Sequence, residues 1–217
     1  MAAPDRIRVN VGCGYTPTPG WVNLDNSLTV RLAPVIRRLA KVGVVPSGMA
    51  GFADVAAAHG IRWCDASRRL PFADGSVDAI YTSHMFEHLG TGPARRFLAE
   101  ALRVLVPGGI LRVAVPDLRL FVQDYVARGD ADAFVARTQL AAAADGFFAR
   151  LKALLLGARE RHLWMYDAAS LCRLLGSAGF ESPQALPPGT TGLEDPGSLN
   201  LAERPDESCY VEGRKPG

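Results

Sequence analysis

Two short stretches of this 217-residue chain hold the residue types that could do chemistry. The first is Val11-Gly12-Cys13-Gly14-Tyr15, which follows the apolar run Ile7–Val11 and precedes Trp21-Val22-Asn23-Leu24-Asp25. Glycines at 12 and 14 permit a sharp turn and let a flat ligand lie against bare main chain. Asp25, at the end of a second apolar run, can accept hydrogen bonds from the two hydroxyls of a ribose. The pair points to an adenosine-containing cofactor. The second stretch is Ser83-His84-Met85-Phe86-Glu87-His88, and another histidine stands in Arg161-His162-Leu163-Trp164-Met165-Tyr166. Imidazole titrates near neutral pH, so these residues suit proton transfer.

The first loop discriminates between adenosine cofactors. A dinucleotide fingerprint needs G-x-G-x-x-G, with a helix opening at the loop so that its N-terminus meets the pyrophosphate. Here Thr16 and Pro17 stand where the third glycine would be, and Pro17, Pro19 and Gly20 prevent a normal helix before the second strand. Asp25 also arrives sooner after the glycines than the roughly twenty positions of the usual fingerprint. A pyrophosphate would lack its helix dipole, whereas S-adenosylmethionine, which has no phosphates, would not need one.

These residues must be positioned by a sheet. Short apolar runs recur at Ile7–Val11, Trp21–Leu24, Ile61–Trp63, Val77–Tyr81, Ile110–Val115 and Cys209–Glu212. Several are continuous rather than alternating, the pattern of strands buried on both faces of a parallel sheet. The clearest helix is Pro93–Leu105, with Phe97, Leu98, Ala101, Leu102 and Leu105 on one face and Pro107-Gly108-Gly109 as its stop. Residues 28–60 are read as an amphipathic basic helix from Val30 to Lys41 followed by a Gly/Pro-rich loop. Residues 119–160 are read as wholly helical, with Leu120, Phe121, Tyr125, Phe134, Phe147, Phe148, Leu151 and Leu154 as apolar faces. Both segments follow strand ends, where open α/β sheets bind ligands. They are read as inserts forming a partial cap over the substrate, with extra packing on the sheet as the alternative. The stretch 187–198, rich in Pro, Gly and Thr, is read as a surface loop.

Composition narrows the class. The length suits one domain, 1–217, with a sizeable core, and 48% hydrophobic with 21% charged residues is ordinary for a globular protein. A net charge of +2 leaves no basic footprint for nucleic acid. No apolar run approaches the ~20 residues of a membrane span. The N-terminus lacks a signal peptide's apolar core. Cys13, Cys64, Cys172 and Cys209 form no C-x-x-C pair, which fits a reducing cytoplasm. Arg31, Arg37, Arg38 and Lys41 could make weak contact with a membrane surface, although a charged solvent face is the preferred reading. Oligomeric state is not legible.

The chain resembles the class I S-adenosylmethionine-dependent methyltransferases, in particular the small bacterial type-11-like group. The ordered segments that carry the resemblance are VNVGCGYTPTPGWVNLD, WCDASRRLPFADGSVDAIYTSHMFEHL, EALRVLVPGGILRVAVPDL, HLWMYDAASLCRLLGSAGF and ESCYVEGRKP. The resemblance implies a Rossmann-like, seven-stranded, mostly parallel sheet with helices on both faces and an antiparallel last strand. It implies that Gly12, Cys13 and Gly14, flanked by Val11 and Tyr15, border the cofactor's methionine and ribose. Asp25 is implied at the ribose hydroxyls and Asn26 beside the adenine. Asp65 is implied at the adenine amino group, with Cys64 and Ala66 lining that pocket, although Asp65 also fits an Asx-turn. Ser83 and His84 are implied below the methyl-bearing sulfur, and His162 and Tyr166 facing the acceptor.

Methyl transfer from a sulfonium is an in-line displacement, so holding the acceptor close and aligned is the enzyme's main task. His84 is the first choice as general base, the alternative being that it shapes the pocket. Glu87 and His88 resemble a pair common in this loop. Some relatives carry Glu-x-x-Glu-His and bind a divalent ion, but His84 replaces the first Glu here. The pair is therefore read as bracing the next helix and no metal is expected, an oxygen/nitrogen metal site of His84, Glu87, His88 and His162 being the alternative. The loop also lacks the Asn/Asp-Pro-Pro-aromatic tetrapeptide of amine-directed relatives. Methylation of a nucleic-acid base is therefore not expected. The acceptor is read as a small or medium sugar, glycan, lipid-linked molecule or secondary metabolite, with oxygen favoured as the attacked atom and carbon or nitrogen open. A non-catalytic S-adenosylmethionine-binding protein acting through partner contacts is the alternative, and a nucleotide-dependent oxidoreductase a weaker one.

Overall fold

The computed structural model describes residues 6–140 and 161–217. Seven strands form one sheet: β1 (Arg8–Val11), β2 (Val22–Asp25), β3 (Arg62–Trp63), β4 (Val77–Ser83), β5 (Leu105–Pro116), β6 (Glu181–Leu186) and β7 (Ser208–Arg214). Their spatial order is β3-β2-β1-β4-β5-β7-β6. The pairings from β3 through to β5 are parallel, and β7 runs antiparallel to both its neighbours. The sheet is the one the resemblance implies, with β7 as its reversed last strand. Strand order reverses between β1 and β4, and the crevice beyond their carboxyl ends is where open α/β sheets hold ligands.

Alternation along the strands sends two different sets of side chains to the two faces. Val9, Val11, Ile80, Leu111, Val113 and Val211 enter the main core beneath α4 (Thr91–Val104) and α7 (Ala168–Ala178). Phe97, Leu98, Ala101 and Val104 form the buried stripe of α4, at the spacing its sequence predicts. This helix ends at Val104, before Pro107-Gly108-Gly109, because Leu105 already pairs with Val77 as β5 begins. The expected stop signal is therefore an irregularity inside β5: Gly108 has φ +75°, and a Cβ on Gly109 would lie 2.9 Å from the Val106 carbonyl oxygen.

The opposite face, carrying Ala79, Tyr81, Ala114 and Tyr210, is covered by Trp21, Leu193, Leu199 and Leu201. The last three lie on the connection between β6 and β7, so the stretch read as a surface loop covers part of the sheet where a helix was expected. A buried ion pair fastens it: Arg112 and Glu212, both essentially inaccessible, meet at 2.8 Å. Arg112 also donates to the Thr190 and Leu201 carbonyls, and Glu212 accepts from Thr191 Oγ1 and the Gly192 N–H. Every one of those partners except Arg112 and Glu212 lies on the covering connection.

Residues 28–60 supply the connection from β2 to β3. The basic segment is two helices, α1 (Leu28–Arg31) and α2 (Ala33–Ala40), and the expected Gly/Pro-rich loop is largely a third, α3 (Ser47–Ala58). Gly48 and Gly51 each disfavour a helix by about 1 kcal/mol. Burial of Phe52, Ala53 and Ala56 against α1 and α2 outweighs that local preference. In the second expected insert, α5 (Leu118–Arg128) and α6 (Ala131–Thr138) pack together through Tyr125 and Phe134, ring centroids 5.4 Å apart. Phe147, Phe148, Leu151 and Leu154 lie outside the described residues.

Candidate active site

The loop after β1 has no helix to hold it, and buried asparagines do so instead. Asn10 and Asn23 are register partners on β1 and β2. Asn10 donates to the Thr16 carbonyl and Thr18 Oγ1, while Asn23 accepts from the Thr18 N–H and donates to the Thr18 and Trp21 carbonyls. The Gly12 and Cys13 N–H groups both donate to the Leu24 carbonyl, folding the loop back over β2. Gly12 has φ +73°, and a Cβ there would come within 2.7 Å of Met85 Cβ and Cγ. Glycine is needed at 12 for close packing as well as for the turn. At Gly14, φ +48°, the space a Cβ would occupy is open.

Asp25 links this loop to the start of α1. One carboxylate oxygen accepts from the Gly14 N–H at 3.1 Å and the other from the Ser27 N–H at 2.8 Å. Burial holds its pKa above the ordinary aspartate value, against the downward pull of those two donors. Tyr15 crosses to α3, its ring 4.6 Å from Phe52 and its hydroxyl donating to the Gly48 carbonyl. Burial, reinforced by Asp25, pushes the Cys13 thiol up to about 12, which disarms it as a nucleophile.

At the end of β4 the chain turns through His84, a non-glycine residue at φ +48°. Such a conformation costs energy and persists where the surroundings enforce it. Here the His84 N–H donates to the Ala114 carbonyl and Nε2 shares a hydrogen bond with Ser208 Oγ at 3.0 Å. One 3₁₀ turn, Phe86–His88, follows, anchored by Phe86 packed between Phe97 and Tyr166. Glu87 is thereby placed under the surface, 1% exposed. His84 Nδ1 lies 3.5 Å and His162 Nε2 3.8 Å from Glu87 Oε1.

His162 is brought from far along the chain by backbone hydrogen bonds. The Leu163 and Trp164 N–H groups donate to the Glu87 carbonyl, and His162 Nδ1 donates to the Thr138 carbonyl at the end of α6. His88 Nδ1 donates in the same manner to the Arg161 carbonyl at 2.9 Å. Burial pushes the pKa of His162 below its ordinary value, although Glu87 pulls it upward.

These parts surround one cavity of about 440 Å³, a size suited to a small molecule. Gly12, Gly14, Tyr15, Asp25, Asn26 and Phe52 line it from the first half of the chain, and His84, Met85, Glu87, His88, Leu89 and His162 from beyond β4. Gln139 and Arg204 complete the lining. Several residues expected here lie elsewhere. Val11 is in the main core, and Cys13 packs among Val30, Phe52, Ala56 and Ile61. Cys64 and Ala66 are core residues that do not line the cavity. Asp65 accepts from the Ser67 N–H and hydroxyl, the Asx-turn its position allowed, and pairs with Arg68 at 3.2 Å. Ser83 and Tyr166 are likewise absent from the lining. The Tyr166 ring packs at a tilt against Phe86, and burial, then Glu87, pushes its phenol up to about 12.

Phe52, Met85, Leu89, Gln139 and Arg204 went unread in the sequence. Met85 sits inside the histidine-containing stretch and Leu89 directly follows it, so both could have been included with it. Nothing local marks Phe52, Gln139 or Arg204, which arrive through tertiary packing.

A family model described as a methyltransferase domain matches residues 9–113. No curated protein matches the chain. Among solved structures, the chain is similar to an S-adenosylmethionine-dependent methyltransferase of Thermotoga maritima, described as a possible histamine N-methyltransferase. Identity is 17%, the TM-score 0.53, and coverage 99% of this chain and 84% of that one. It is also similar to such methyltransferases of Methanosarcina mazei (16% identity, TM-score 0.51, 99% and 94% covered) and Archaeoglobus fulgidus (13%, 0.51, 98% and 87%). Taken with the glycine loop, the acid closing β2 and the reversed last strand, these findings give the chain the fold of the class I S-adenosylmethionine-dependent methyltransferases, with a methyltransferase-domain match over residues 9–113.

Proposed function

We propose that the chain methylates a small or medium acceptor on oxygen, the acceptor being a sugar, glycan, lipid-linked molecule or secondary metabolite. The observation that carries this reading is the shared cavity. Gly12, Gly14, Asp25 and Asn26 border the same space as His84, Glu87, His88 and His162.

The first set fits S-adenosylmethionine. The unfilled space at Gly14 admits a ligand against the main chain, and the Asp25 carboxylate keeps lone pairs beyond those used by Gly14 and Ser27. When bound, the cofactor supplies an electrophilic methyl on a good leaving group. Asp25 holds the ribose hydroxyls and Asn26 lies beside the adenine. Tyr15 and Phe52 on one side, and Gln139 and His162 on the other, close over the acceptor, giving the segments around α3 and α6 the role of a partial cap.

The second set favours oxygen as the nucleophile. A neutral hydroxyl gives up a proton as the new C–O bond forms and the C–S bond breaks, and the sulfonium's positive charge leaves with that proton. His84 receives it, held by Ser208 on one ring nitrogen and facing Glu87 with the other. The test is methyl transfer from labelled S-adenosylmethionine to matched panels of hydroxyl, amine and carbon-acid acceptors. Turnover is expected with hydroxyl compounds. In the same assay His84→Ala lowers kcat by about 10²–10⁴-fold while S-adenosylhomocysteine affinity holds. Turnover confined to amines would refute oxygen as the target, and full activity of His84→Ala would remove it as the base.

A further inference from the structure

Glu87 lines this cavity from beneath the surface. Its carboxylate is 1% exposed, and among the described residues neither oxygen finds a hydrogen-bond donor. A buried carboxylate in that condition costs several kcal/mol. Two imidazole nitrogens, on His84 and His162, approach Oε1 only to 3.5 Å and 3.8 Å.

The neighbouring imidazoles are arranged as ligands. A carbonyl oxygen can only accept, so His162 Nδ1 carries the proton it gives to Thr138, and in the neutral ring Nε2, the atom facing Glu87, has the lone pair. His88 is oriented by the same device, through Nδ1 onto the Arg161 carbonyl. Metal-binding histidines are commonly fixed by donation from the second ring nitrogen to a carbonyl. One ligand atom each from Glu87, His88 and His162 lies within 4.8 Å of the others. A cation with bonds of about 2.0–2.2 Å can bridge atoms so placed after small side-chain rotations.

We propose that Glu87, His88 and His162 bind a divalent first-row transition ion, with its open coordination positions facing the methyl-acceptor space. Two imidazoles and one carboxylate favour such an ion over magnesium, which prefers an all-oxygen shell. From sequence, a metal site of His84, Glu87, His88 and His162 is only the lesser alternative, because His84 replaces an acid in the loop. The structure gives the third position to His162, from the far side of α6, and leaves His84 free to brace Glu87 from outside the ligand set. An ion here sets positive charge beside the acceptor oxygen and makes its hydroxyl easier to deprotonate. This role rests on the cavity being the acceptor site, whereas ion binding itself does not.

The test uses the full chain stripped with EDTA and titrated with Co²⁺, followed by calorimetry and visible absorption, without any methyl donor. One ion per chain is expected. Glu87→Gln and His162→Gln, each checked for a wild-type circular dichroism spectrum, are expected to weaken it by at least about a hundredfold. If one variant fails to fold, the other decides. Absence of Co²⁺ binding to the wild type, or undiminished binding in a folded variant, overturns the site. Calorimetry of the stripped protein with S-adenosylhomocysteine is run in parallel. Loss of that binding with Co²⁺ binding retained would sink the cofactor reading and leave the metal site standing.

Discussion

Replacing Asp25 by Ala probes the proposed cofactor contact most directly. Each carboxylate oxygen accepts one backbone N–H, from Gly14 or Ser27, and retains capacity for a ribose hydroxyl. A hydrogen bond to a charged group contributes about 1.5–3 kcal/mol, and 1.4 kcal/mol is a factor of ten in affinity. Losing even one such bond weakens S-adenosylhomocysteine binding by at least about tenfold, and losing both by roughly a thousandfold. Part of the loss comes through the loop, because the Gly14 N–H is released as well. Isothermal titration calorimetry reads the change, and an unaltered dissociation constant for a folded Asp25→Ala protein would refute the ribose assignment.

The same residue fixes a pH dependence. Burial raises the Asp25 pKa above its ordinary value, so in the folded protein it takes up a proton sooner on acidification than an exposed aspartate does. Protonation removes acceptor capacity, so affinity falls as pH drops through this raised pKa, and ligand binding expels the proton. Linkage to folding has the opposite sense. The stability contributed by a raised carboxyl pKa is present below the unfolded value and lost as pH rises through the folded one, which makes the ionised group a cost to the empty protein at neutrality. In Asp25→Asn, the acid-side loss of affinity is expected to disappear.

Two further substitutions test the scaffold. Glu212→Gln leaves the Arg112 charge buried without its counter-ion and should destabilise the protein by about 3–5 kcal/mol; denaturant unfolding measures it, and a change under about 1 kcal/mol would contradict the role given to this pair. Gly12→Ala forces a side chain into φ +73° and against Met85, for a loss of about 1–3 kcal/mol. Met85→Gly in that background should recover part of the loss, and no recovery would mean that backbone strain alone accounts for it.

What the residues disclosed without coordinates was local. Gly12 and Gly14 announce a turn because positive φ excludes most side chains, Pro17 and Pro19 exclude a helix because they lack an N–H, and the continuous apolar runs around Val9, Ile80 and Leu111 betray strands buried on both faces. Such signals were enough for the sheet, the first loop and the acid that closes β2. They misjudged α3, whose two glycines argue locally for a loop while Phe52, Ala53 and Ala56 gain burial on α1 and α2. They also missed what holds the loop after β1, because Asn10 and Asn23 become partners only once β1 and β2 pair in register.

The active-site cluster shows the same division most clearly. His84, Glu87 and His88 were visible together because they share one turn. That His162 joins Glu87, and that Tyr166 turns into the core with Phe86, was decided by the Leu163 and Trp164 N–H groups docking on the Glu87 carbonyl. The sequence by itself determined which groups are available and how the chain bends near each of them. The tertiary structure alone decided which distant groups meet, because those meetings follow from packing across the whole sheet, and no window of neighbouring residues records them.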